Sequence, residues 1–164
     1  MKTGLAALWI LLVGTVAFAQ NASHTGTWKL DVKQSDFGSE PAPKSMIVTV
    51  KDTGETLSIH GHGIDDKGES FSFSWSGPED GSMSPVMDNG KVTGKASARK
   101  DGDAIVRQGE GTDGSYFDER VTLSSDGNTS TTEWTVKSKD GKETKAKLVL
   151  HRVSAQKTAV NKSQ

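Results

Sequence analysis

The chain has 164 residues, 32% hydrophobic, 25% charged and 6% aromatic, with 18 Gly, no Cys and a formal net charge of −1. That length bounds the protein at about one domain, and low hydrophobicity with abundant glycine favours short strands, which excludes a large enzyme or a multidomain receptor. The lack of cysteine excludes disulfide staples, Cys-ligated zinc, iron–sulfur clusters, thiol nucleophiles and a lipoprotein anchor, so packing and backbone pairing must hold the fold.

The first element is an export signal over residues 1–19. Lys2 precedes an apolar run from Leu5 to Phe18 that closes on Ala17-Phe18-Ala19, a small-x-small site with cleavage expected after Ala19. The run is shorter than the roughly 20 apolar residues of a membrane-spanning helix. A secreted or periplasmic protein is therefore expected, starting near Gln20, with no integral membrane association after cleavage. Loss of Lys2 takes Lys plus Arg from 20 to 19 against 21 Asp plus Glu, a net charge of −2. Charges of both signs alternate, as from Lys137 through Lys147, which describes a solvated face and excludes a nucleic-acid track.

After a short linker at 20–23, period-2 alternation governs the chain. It predicts strands near Thr25–Val32, Met46–Lys51, Thr56–Ile64 and Glu69–Ser76, then Gly94–Lys100, Ala104–Glu110, Ser115–Ser124, Thr129–Ser138 and Glu143–Val153. The clearest is Ser70-Phe71-Ser72-Phe73-Ser74-Trp75-Ser76, with aromatics on one face and serines on the other. Asp-Gly turns punctuate the strands at Asp101-Gly102, Asp113-Gly114, Asp126-Gly127 and Asp140-Gly141. Such short turns join antiparallel neighbours, and a meander of about nine strands leaves exposed edges unless it closes. The expected fold is an all-β, closed or nearly closed, up-and-down barrel of about 8–10 strands over residues 24–154. Two segments break the pattern, Lys33–Lys44 with two prolines and Gly77–Gly90 with two more; each reads as a cover for a barrel mouth or as a surface loop. Residues 155–164 read as a flexible tail.

Gly26-Thr27-Trp28-Lys29-Leu30 opens the first strand, and Leu148-Val149-Leu150-His151-Arg152-Val153 closes the last. G-x-W on a first strand, followed by a Gly-punctuated meander, resembles the calycin superfamily of lipocalins and fatty-acid-binding proteins. The whole chain after residue 19 is similar to secreted bacterial lipocalin-like domain proteins. The resemblance places Arg152 where lipocalins pack an Arg on the Trp and fatty-acid-binding proteins clamp a ligand carboxylate. Two departures point to the lipocalin side: Ser154 stands where Arg-x-Tyr would place its Tyr, and Lys33–Lys44 is too short for a helix-turn-helix lid.

The inward parity groups Phe71, Phe73, Trp75 and Trp134 as candidate ligand contacts, a filled core being the competing reading. Arg107 shares the parity of Ile105; turned inward, it needs a carboxylate from protein or ligand. Trp28 and Arg152 are expected to close one barrel end by a cation–π contact. His60 and His62 share one strand face at metal-gripping spacing, with His151 or His24 as a third ligand, yet their parity with Ser58 turns them outward. No nucleophile elbow, P-loop or dinucleotide fingerprint is present, so no enzyme activity and no cofactor are expected. The leading expectation is a carrier for a small apolar or amphipathic molecule, its specificity set by Gly77–Gly90. The alternatives are a loop-mediated protein-interaction or inhibitor module on a filled barrel, and a metal-dependent site at His60 and His62.

Overall fold

A computed structural model describes residues 23–153; the expected export signal and cleavage point, all but the last residue of the linker expected at 20–23, and the expected tail lie outside the described residues, as does Ser154. The described chain forms ten strands: β1 Gly26–Leu30, β2 Ser45–Asp52, β3 Thr56–Ile64, β4 Ser70–Pro78, β5 Ser84–Asp88, β6 Lys91–Asp101, β7 Ala104–Gly111, β8 Tyr116–Leu123, β9 Thr129–Lys137 and β10 Glu143–Arg152. Each pairs with its sequence neighbours, and β1 pairs with β10, so the meander closes into a barrel without a free edge. Trp28 sits opposite Arg152 on one side and Val48 on the other, which fixes the register of the closing seam.

The tenth strand corrects the sequence reading of Gly77–Gly90 as a loop or mouth cover. Ser84–Asp88 is β5, joined to β4 by only three pairs and to β6 across a register shift between Val86 and Met87. Pro85 hid it: the residue lies beyond the last β4 pair, at a strand end where a missing N–H is tolerated. Ser82–Met87 is therefore part of the wall.

An up-and-down barrel has two ends, and this sequence builds them differently. At the end where β2, β4 and β6 finish, the inward side chains are sealed: Leu57 is 0%, Trp28 2% and Trp75 3% exposed. The Trp75 indole N–H is shared between the carbonyls of Ser84 and Ala96, and the small Ala96 and Ala98 make room for the ring. Trp28 donates to the His24 carbonyl, and the Arg152 guanidinium lies 4.1 Å over its ring. Arg152 also donates to the carbonyls of Gly127, Thr25 and Ser23. A Cβ at Gly26 would collide with that guanidinium, and the residue's φ of 155° also favours glycine, so the Gly of G-x-W makes way for the Arg.

The opposite end, where β3, β5 and β7 finish, stays open. There the inward Phe71, Phe73, Phe117, Trp134 and Val136 are only half-buried. The segment 31–44 runs beside it. After Leu30 the chain continues along β10, with Asp31 donating to the Val149 carbonyl and Asp36 bridging Lys147, and Phe37 turns in against the core around Trp28. It is a side seam laid along β10, where sequence alone left mouth cover and loop as equals.

The turns are locked by aspartates. Asp65 accepts the N–H groups of Gly68 and Glu69, and Asp126 accepts the Ser124 hydroxyl and the Asn128 N–H. Those donors favour the ionised carboxylate, holding Asp65 below its usual range and bringing Asp126 to about 2.

Candidate functional site

The lumen begins with an arrangement of aromatics and glycines. Across the β3–β4 ladder Phe73 faces Gly61 and Phe71 faces Gly63; across β7–β8, Phe117 faces Gly109. A Cβ at any of these glycines would strike the opposing ring, so each phenyl lies back over a bare stretch of neighbouring backbone. Rings laid along the wall present apolar, half-buried surface at the open end. The result is an apolar cup above a sealed floor. Phe71, Phe73 and Trp134 face that cup, whereas Trp75 belongs to the floor, buried with its N–H satisfied.

Arg107 is turned inward and 8% exposed. Its guanidinium stands 5.0 Å from the centroid of Trp75 and 5.8 Å from that of Phe117, a cation between two π faces at the base of the cup. The carboxylate that burial demands comes from Glu119, its direct cross-strand partner, at 2.5 Å from Nη1. Arg107 Nε is buried with no hydrogen-bond partner. Glu119 faces Arg107 on one side and Trp134 on the other, so charge and aromatic meet on one wall. Buried Thr132 and Ser130 follow on β9.

Sequence reasoning missed Glu119, Phe117 and the glycines. The signal for Glu119 was present: it shares parity with Phe117 and Val121, so it lies on the interior face. Gly61, Gly63 and Gly109 fall on the inward register, opposite aromatics one strand away.

Arg152 makes no contact with the cup. Its three carbonyl acceptors and the Trp28 ring hold it at the sealed end, which is a closing role. His60 and His62 project from the outer face with ring centroids 6.1 Å apart. The proposed third ligands are elsewhere: His24 contacts the Asp103 carbonyl at the sealed end, and His151 lies against Asp31, Gln34 and Thr129. Among the described residues no three His, Cys, Asp or Glu side chains gather as a metal-binding group.

Two further features lie outside the cup. Shallow grooves of about 440 and 410 Å³ flank β5 on the outer surface, one near His60 and Met87, the other near Met83 and Val92. At the sealed end Lys100 pairs with Asp52 and lies 3.5 Å from Glu79. Burial works to raise the Asp52 carboxyl, but the Lys100 ammonium and the Gly54 N–H outweigh it and hold the group below its usual value. Among the described residues no helix is long and apolar enough to cross a membrane.

No protein-family model matches the chain, and no curated protein does. Solved structures do match. Two point variants of the fluorescent protein UnaG superpose with TM-scores of 0.57 and 0.56 at 13% and 15% sequence identity, over 80% of this chain and 97% of each neighbour. Lipocalins close with eight strands. The barrel here closes with ten, within the eight to ten expected from the sequence. The likeness establishes the fold alone: a closed, antiparallel, up-and-down β-barrel, here of ten strands.

Proposed function

We propose that this protein is a non-enzymatic carrier, exported from the cell, that holds a small hydrophobic or amphipathic molecule in the open half of its barrel. One observation carries the reading. Inward side chains at one end are sealed to a few per cent exposure, while Phe71, Phe73, Phe117 and Trp134 at the other are half-buried, although all face the same interior. A core built only for stability would bury both halves, because each Å² of apolar surface left wet forgoes about 25 cal/mol. A guest entering from the open end recovers that free energy, and the aromatic rings laid over glycines leave it room. The fold shared with UnaG supports a barrel of this kind.

The export signal at residues 1–19 supports a site of action in the periplasm or beyond it. Native mass spectrometry of protein isolated from its own organism tests the carrier, with the denatured mass as reference. The expected result is a reproducible extra mass released on denaturation, together with saturable one-to-one binding of Nile red by the emptied protein. A bare native mass and no saturable dye binding would remove the carrier reading. The denatured mass also tests export, since cleavage after Ala19 predicts a chain beginning at Gln20.

A further inference from the structure

We infer that the molecule held in the cup is electrically neutral and offers a hydrogen-bond-accepting oxygen, such as a ketone, ester or amide carbonyl, and that Glu119 excludes carboxylates. This rests on the carrier reading and specifies its ligand class.

The inference begins with charge. A guanidinium cannot be deprotonated in a protein, so a buried Arg107 carries its charge permanently and needs a counterion. An interior arginine awaiting an anionic guest would leave that place vacant. Here Glu119 fills it, from the position directly opposite on β8, at 2.5 Å from Nη1. The antiparallel register itself brings the pair together. Of the other inward-register cations, Lys100 has Asp52 and Glu79 and Arg152 is committed to three backbone carbonyls, while Lys91 is exposed at the open rim. A carboxylate reaching the base of the cup would meet Glu119 as a second like charge in a partly desolvated space, beside an Arg107 that is already paired.

Hydrogen bonding then says what the site accepts. A guanidinium has five N–H donors, and Glu119 takes one at Nη1. Nε has no partner and is buried. Spare donors on a group already neutralised want an acceptor that adds no charge. A carbonyl oxygen reaching the base of the cup meets that need, while its apolar remainder lies against Phe71, Phe73 and Trp134. Leaving a buried donor unpaired costs about 1–3 kcal/mol, so an all-hydrocarbon guest is disfavoured as well.

The test uses one fluorophore in two forms, 11-(dansylamino)undecanoic acid and its methyl ester, titrated into the purified protein at neutral pH. The ester should bind at least about tenfold tighter than the acid, the scale set by a like charge in a partly desolvated site. Glu119→Gln keeps the shape and removes the charge, so the acid should gain about tenfold while the ester changes by less than about threefold. An acid that binds wild-type protein as tightly as the ester overturns the inference and leaves the carrier intact. So does a Glu119→Gln variant with an unchanged acid-to-ester ratio. If neither probe binds wild-type protein, the carrier reading falls and takes this inference with it. The wild-type ratio decides the matter even if the variant does not fold.

Discussion

Replacing Arg152 by Lys tests how the barrel is closed. The guanidinium makes three hydrogen bonds, from Nε to Gly127 O at 2.8 Å, from Nη1 to Thr25 O at 2.7 Å and from Nη2 to Ser23 O at 2.6 Å, and it stacks 4.1 Å over Trp28. A lysine keeps the charge but has one nitrogen, so it can satisfy one of these carbonyls and must abandon the fork. Hydrogen bonds from charged donors contribute about 1.5–3 kcal/mol where water is excluded; two of the three here reach exposed carbonyls, so each lost bond is discounted to about 0.5–1 kcal/mol. Weaker stacking on Trp28 adds up to about 1 kcal/mol. The expected loss is about 2 kcal/mol, or about 6–10 °C in thermal midpoint for a domain of this size. Circular dichroism melts at neutral pH measure it, with near-UV tryptophan signals reporting whether the Trp28 environment survives. A shift under about 2 °C would refute the account, since it would mean that Arg152 adds no more than any surface cation.

Three further outcomes follow from the same geometry. Leu57→Ala removes a side chain with 0% exposure from the sealed floor and should cost about 2–5 kcal/mol by denaturant titration; a loss below about 1 kcal/mol would mean the floor collapses around the gap. Gly61→Val pushes the Phe73 ring off its backbone seat and into the cup, so Nile red affinity should fall by about tenfold while the β-rich circular dichroism spectrum persists. Asp52, Asp65 and Asp126 all have carboxyls lowered in the folded state, so their contribution is complete above the unfolded value and is lost as pH falls through the folded ones. Thermal midpoints should therefore drop between about pH 4 and pH 2, and Asp126→Asn should flatten part of that drop; a midpoint at about pH 2.5 equal to that at pH 6 would contradict it.

Much of this fold was legible because period-2 alternation survives wherever one strand face is buried. β3 is read without error at Thr56–Ile64, and β4, β7 and β9 fall within two residues of their predicted bounds. β5 was not legible, because five residues containing a proline, with an inward row of Ser84, Val86 and Asp88, carry no apolar alternation. Its place is set by β4 and β6, which hold it as a short tie. Inward positions were also read correctly where side chains were apolar, as at Leu57, Val48 and Trp134. Glu119 escaped notice for the same reason that it matters: a carboxylate on an inward position looks like a solvated one until its cross-strand partner is known, and register is what a single sequence least reveals.

The two halves of the barrel differ in what their aromatic rings pack against. On the floor, Trp75 packs against Ala96, Ala98 and Leu57, side chains with a Cβ of their own, and the space is consumed. In the cup, Phe71, Phe73 and Phe117 face glycines, and each ring recedes into the wall by the depth of the missing side chain. The same kind of residue thus fills one half and lines the other, according to what it packs against. An alanine at Gly61, Gly63 or Gly109 would drive its Cβ into the facing ring, and at Gly63 and Gly109 also into the carbonyls of Ser45 and Lys95, so the ring would be pushed off the wall. Glycine at these inward positions is what lets the rings lie against the wall, the arrangement that the proposed carrier would use.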